Sequence, residues 1–154
     1  FLHFLTKMKL LTLFLFLLPV LAFSQIKPGQ KDDGVKIHHL INQYSEAREK
    51  QDTLLLKSIL TDKVDQLVSS GEWRTGIRES VDGMLRSSTA NPGTRTLEVE
   101  KIRFLEDEIA LVDCRYIIKN PNGTERNMWS SFVVVFHKKS WKITAIRNMN
   151  PTTN

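Results

Sequence analysis

Two hydrophobic periods divide the chain. Before about Ser87 the apolar residues recur at helical spacing, and from Thr94 they alternate with polar ones. Ile37, Leu40, Ile41, Tyr44 and Ala47 share one face of a helix that Asp33 caps and that runs to about Lys50. Leu54, Leu55, Leu56, Ile59 and Leu60 give a second helix, over about Thr53 to Leu60, a broad apolar face. Val64 to Val68 reads as a short strand closed by Ser69-Ser70-Gly71. A third helix spans Gly76 to Ser87 with Thr75 as its N-cap, and its buried stripe is Ile77, Val81, Met84 and Leu85. After the Asn91-Pro92-Gly93 loop come four strands, Arg95 to Leu105, Ile109 to Lys119, Thr124 to Lys138 and Trp141 to Met149. Their connectors, Glu106-Asp107-Glu108, Asn120-Pro121-Asn122-Gly123 and Lys139-Ser140, are short and polar, which predicts antiparallel hairpins. Helices followed by a meander make an α+β fold in which the helices cover one face of a bent sheet.

The first 24 residues read differently. Lys7 and Lys9 precede an apolar run from Leu10 to Leu21, and Ala22-Phe23-Ser24 supplies small residues where a signal peptidase reads. We therefore expect a signal peptide over 1–24, cleaved before Gln25. As a membrane anchor the run is short, because a span needs about 20 apolar residues. Residues 25–34, polar and carrying Pro28 and Gly29, read as a flexible leader, and the domain proper as 35–151. Phe1 to Lys7 precede Met8, which is the expected true start.

Export changes the arithmetic of charge. The 154 residues carry a formal charge of +5; without Lys7 and Lys9, 20 basic residues face 17 acidic ones, a net +3. A small excess of dispersed basic residues in a periplasmic or secreted chain argues against a nucleic-acid partner. Cleavage of the signal leaves no membrane segment. One cysteine excludes an internal disulfide framework and a zinc site built on several thiolates. Cys114 sits inside a strand-like run, where a thiol is usually buried. Hydrophobic residues at 41% and charged residues at 25% suit one ordinary globular domain.

The order of elements carries a resemblance. Two helices, the run Asp65-Gln66-Leu67-Val68-Ser69-Ser70-Gly71, a third helix, and a four-strand meander ending Trp141-Lys142-Ile143-Thr144-Ala145-Ile146-Arg147-Asn148 resemble the nuclear-transport-factor-2-like superfamily. Within it the chain is similar to the SnoaL-like and SgcJ/EcaC-type small domains, over about Val35 to Pro151. The resemblance implies a cone-shaped fold, a curved antiparallel sheet wrapped around N-terminal helices, with a pocket between them. It also implies a homodimer through the outer sheet face. It does not imply one activity, because the cone hosts isomerases, dehydratases, cyclases and non-catalytic binding modules.

Candidate chemistry comes in three groups. Asp65 is either a general base inside the cone, its pKa raised by apolar surroundings, or an exposed strand-end residue. Asp113 and Arg115 share one strand face, and strict alternation puts Arg147 with Trp141 and Ile143 on the helix-covered side. Together the three either bind a carboxylate or polarise a carbonyl, or they form an ion pair that ties strands together. Alternation alone does not say whether the Asp113 row faces the pocket or the outer side. Trp73, Tyr116, Met128 and Trp129 either line a small apolar pocket or belong to the core, with Trp73 the best placed for a pocket mouth or an interface.

Other chemistry is not supported. His38 and His39 are adjacent on a helix and point about 100° apart, and His137 ends a strand among lysines, so no metal site is expected. No nucleophile elbow, phosphate-binding glycine loop or dinucleotide fingerprint occurs, and no cofactor is expected. Asn122-Gly123-Thr124 is a glycosylation sequon that a tight hairpin already explains. Two functions stay open: a binding module for a small, mostly apolar ligand, and an enzyme doing acid–base chemistry on a small carbonyl compound. Asp65 and Asp113 are the candidate catalytic residues; Trp73, Arg115, Tyr116, Trp129 and Arg147 are the candidate ligand contacts.

Overall fold

The computed structural model of the protein describes residues 28–152. The stretch expected to be a signal peptide and the first residues of the expected leader lie outside the described residues. Helix α1 (Pro28–Glu49) begins earlier than its apolar stripe, so the described part of the expected flexible leader, residues 28–34, is helical. Proline suits a first turn, where its missing N–H has no intrahelical partner to lose. Asp33 therefore caps nothing; it sits within the helix and accepts from Lys36 at 2.9 Å. The stripe itself lies as expected, with Ile37, Leu40, Ile41, Tyr44 and Ala47 buried. Asp52 caps α2 (Thr53–Ile59) by accepting the Leu55 N–H at 2.9 Å.

Strand β1 (Leu60–Leu67) starts directly at the end of α2 rather than at Val64. Strand β2 (Trp73–Thr75) occupies a stretch whose sequence reads as loop, and it pairs antiparallel with β1. Helix α3 (Gly76–Ala90) follows with Thr75 at its N-cap, where Glu79 accepts the Thr75 N–H at 2.9 Å. The meander is β3 (Thr94–Glu106), β4 (Ile109–Lys119), β5 (Glu125–His137) and β6 (Ser140–Met149).

The six strands make one curved sheet in the order β2-β1-β6-β5-β4-β3. Every pair is antiparallel except β1 with β6, which run parallel, so the sheet is mixed. The parallel pair is the consequence of chain order: the strand between the helices meets the last strand of the meander. Helices cover one face. There Val112, Cys114, Tyr116, Phe132, Val134, Ile143 and Ile146 meet Tyr44, Leu56, Val81 and Met84 in one buried core. The ring of Tyr44 stands edge-on to Phe132, with centroids 5.3 Å apart.

Pairing around Thr144 decides which face each residue of β6 takes. Val134 opposes Ile143 while its neighbour Val133 opposes Ala145, so Thr144 is an extra residue, a β-bulge. Before it, Trp141 and Ile143 are buried; after it, Ile146 is buried and Ala145 and Arg147 turn outward. Arg147 is thus on the open face, opposite to the side expected from strict alternation. One inserted residue reverses the parity of every side chain that follows.

Candidate functional site

The open face collects most of the charged candidates. Asp65 faces outward from β1 and accepts from Arg147 Nη1 at 2.8 Å, both side chains being about one-third exposed. The Arg147 guanidinium lies over the Trp73 ring, 4.8 Å from its centroid, and Trp73 is 56% exposed. By register Arg147, Ser131, Asp113 and Lys101 follow one another across β6, β5, β4 and β3. Ser131 Oγ donates to Asp113 Oδ1 at 2.6 Å. One row further, Arg115 pairs with Glu100 at 2.6 Å and lies 5.3 Å from the centroid of Trp129, which is 39% exposed. The face holding Asp113 and Arg115 is therefore the outer one. Neither Asp65 nor Asp113 enters the core, and Trp73 and Trp129 are exposed on the same outer side.

Of the candidate ligand contacts, Tyr116 alone faces the helices. It is buried on β4 beside Met128 on β5. Its hydroxyl accepts a hydrogen bond from Arg48 Nη1 at 3.2 Å. The same nitrogen reaches the Tyr44 hydroxyl at 3.5 Å, and Nη2 reaches Ser88 Oγ at 3.4 Å. Arg48 is 4% exposed, and its Nε has no partner. Among the described residues its hydrogen-bond partners are all neutral hydroxyls. Burial alone would lower the Arg48 pKa, but the two tyrosine oxygens outweigh it and the net direction is upward, so the charge stays. Burial also pushes the Tyr44 hydroxyl up, with Arg48 pulling it partly back. This cluster was not among the sequence candidates. Its one signal is that Arg48 prolongs the buried stripe of α1, four residues after Tyr44.

Two more arginines flank it: Arg74 has a carboxylate, and Arg95 has two backbone carbonyls, although its Nε, like that of Arg48, has no partner. Arg74, on β2, is held by Glu72 at 2.8 Å and by Gln66 at 3.2 Å. A Cβ on Gly83 would run into the Arg74 side chain, so Gly83 of α3 is what gives that side chain its room. Arg95, on β3, donates to the backbone carbonyls of Gly93 and Asn91 and so pins the loop before it. An open depression of about 500 Å³ lies over this end of the cone, lined by Ser88, Gly93, Arg95, Lys119 and Glu49 among others.

A second concavity is apolar. It measures about 520 Å³ and runs between α1, α2 and the β5–β6 hairpin, with Val35, Leu40, Ile59, Phe136 and Trp141 along it and Lys36 and Lys139 at its border. The Trp141 indole N–H is buried there without a hydrogen-bond partner. Asp33 lies nearby; its carboxyl is held below the ordinary range first by Lys36 and to a lesser degree by Trp141.

Cys114 is fully buried on the covered face, and burial pushes its thiol up to about 12, with Asp113 adding to the effect. No group of three or more metal-ligating side chains occurs among the described residues. No helix among them is long and apolar enough to cross a membrane.

The same architecture recurs in solved structures. A nuclear-transport-factor-2-like protein with a cystatin-like fold from Novosphingobium aromaticivorans superposes with a TM-score of 0.71 at 15% identity, covering 81% of this chain and 86% of that one. A domain of unknown function with a cystatin-like fold from Nostoc punctiforme gives 0.70 at 18% identity, covering 82% and 81%. A nuclear transport factor 2 superfamily protein from Salmonella enterica serovar Typhimurium gives 0.66 at 15% identity, covering 83% and 96%. No family model matches the sequence, and no curated protein matches it. Identities this low establish the fold alone.

Proposed function

We propose that this chain, which has the nuclear-transport-factor-2-like fold, is an exported domain that binds a small, mostly apolar ligand without transforming it. The observation that carries the reading is the groove of about 520 Å³ between α1 and the β5–β6 hairpin. Its size suits a small ligand, and mostly apolar walls with a few polar groups are what such a site needs. Acid–base catalysis would require a carboxylate aimed into that groove. The two carboxylates with the best claim, Asp65 and Asp113, are on the other side of the sheet and are held by Arg147 and Ser131.

Mass spectrometry of residues 25–154 purified under native conditions tests this directly. We expect a retained apolar compound whose readdition quenches or shifts Trp141 fluorescence. Replacing the groove-rim residue with Phe136→Ser should weaken that response by about 10-fold, the worth of losing part of one buried aromatic contact. A groove that takes no ligand from a panel of small apolar compounds, with Trp141 emission unchanged, would remove the reading.

The open face supports pairing with a second copy. Leu111, Val133, Val135 and Ala145 lie there only half-buried, flanked by Trp73 on Arg147 and Trp129 on Arg115. Tryptophan and arginine are the residues that most often dominate association. Light scattering should give a dimer that Val133→Lys converts to monomer; a wild-type chain that is monomeric at high concentration would contradict it.

A further inference from the structure

The geometry points to a second, separate site: Arg48, Tyr44, Tyr116 and Ser88 form a receptor for one carboxylate group, reached from the depression at the α3–β3 end of the cone. It lies at the opposite end of α1 from the apolar groove and does not depend on it.

A buried guanidinium normally has a carboxylate or several carbonyls around it, because an uncompensated charge away from water is costly. Arg74 and Arg95 obey that rule, through Glu72 and through two backbone carbonyls, although Arg95 Nε is left without a partner. Arg48 does not. Its three hydrogen bonds, at 3.2, 3.4 and 3.5 Å, are long and go to hydroxyls. The Tyr44 ring, 5.8 Å from the guanidinium carbon, is a weak substitute for an anion.

The donors outnumber the acceptors. Nε carries no partner, and Nη2 carries only Ser88. These two nitrogens share an edge of the guanidinium plane, and that edge takes the two oxygens of a carboxylate side by side. Tyr44, Tyr116 and Ser88 each use a lone pair on Arg48, which leaves their own O–H protons available to an added acceptor. Such a cluster is complete only with an anion in it.

The surroundings select the anion. Arg74 is held by Glu72 and Arg95 by two backbone carbonyls, which leaves Arg48 as the guanidinium of the three with neither, so a single negative charge is matched. Glu49 at the mouth opposes multiply charged ligands. Ser88 both touches Arg48 and lines the 500 Å³ depression, which marks the path inward. The expected ligand is a small monocarboxylate whose remaining atoms lie in the depression among Pro92, Gly93 and Pro121.

Thermal shift and calorimetry on residues 25–154 test the assignment with acetate, butyrate and benzoate, each against its amide, and with chloride and phosphate. We expect at least one carboxylate to stabilise the protein and to bind at least about 100-fold more tightly than its amide, the worth of a charge-assisted pair of hydrogen bonds. Arg48→Met should abolish that difference while leaving the ligand-free protein at least as stable as the parent. Tyr116→Phe should keep the fold and lose about 10-fold in carboxylate affinity. An amide that binds as well as its acid overturns the proposal, as does an equal response to phosphate or chloride. So does an Arg48→Met protein that unfolds without ligand, because Arg48 would then be satisfied by the fold itself. None of these results touches the apolar groove, whose ligand is read out at Trp141.

Discussion

The two faces of the sheet handle charge in opposite ways. On the open face two arginines have both a carboxylate and an aromatic ring: Arg147 has Asp65 and Trp73, Arg115 has Glu100 and Trp129. On the covered face Arg48 has neither a carboxylate nor a filled hydrogen-bond shell. Water would tolerate unpaired charge outside, yet the pairs are there; the apolar core would not tolerate it inside, yet it is there. Pairing on the open face costs little and fixes side chains in place, which suits a surface that meets another protein. The charge inside is the one that the carboxylate proposed above would complete.

That contrast can be broken experimentally, beginning with packing. Phe132 and Val133 are neighbours on β5 that point to opposite faces. Phe132→Ala should cost about 3–5 kcal/mol in urea unfolding and Val133→Ala less than about 1.5 kcal/mol. A Val133→Ala cost that climbs towards that of Phe132→Ala as protein concentration rises would place Val133 in the dimer seam proposed above.

The next largest difference concerns the arginines. Removing an uncompensated buried charge should stabilise, so Arg48→Met should gain about 1–4 kcal/mol in ligand-free protein. Arg147→Met, by contrast, should lose no more than about 1 kcal/mol, because the pair is partly exposed. Opposite signs from two arginine-to-methionine changes are the sharpest form of the comparison.

Cys114 reports on the covered face through pH. Its thiol titrates at about 12 in the fold against an ordinary 9.0. A raised thiol pKa means that the folded state holds its proton more tightly. The associated stability is present below pH 9.0 and is lost as pH rises from there towards about 12. We expect alkaline unfolding to start later in Cys114→Ala, and alkylation of native protein at pH 8 to be far slower than in urea. Rapid labelling of the native thiol would show that the core opens.

The smallest effect belongs to the open-face pair itself. A double-mutant cycle on Asp65 and Arg147 should return a coupling of about 0.2–1 kcal/mol that falls in high salt.

Much of the fold was legible because the two periods are long. The stripe from Ile37 to Ala47 and the alternation through β4 and β5 need only local spacing. What escaped was set by contacts between distant residues. Three residues, Trp73–Thr75, are too few to show a period and become a strand only because β1 lies beside them. The start of α1 at Pro28 lies outside its apolar stripe. At the candidate site, Tyr116 is legible as an aromatic residue inside a strand, which belongs either to a pocket wall or to the core. Arg48 was missed because a charged residue on a helix is ordinarily solvated, and its burial depends on Tyr116 and Ser88, which lie 68 and 40 residues further along. Arg147 was placed on the wrong side because a bulge leaves no mark on composition.

Thr144 acts as a parity switch in the chain's geometry. Deleting that single residue would restore strict alternation to β6 and exchange what its two sides present. Arg147 would be carried in towards the helices, and Ile146 and Asn148 would be turned out. The Arg147–Asp65 pair, the stacked Trp73 and the Ser130–Asn148 hydrogen bond on the covered side would all be lost together. Most one-residue deletions shorten a strand; this one would rewrite which chemistry faces the solvent.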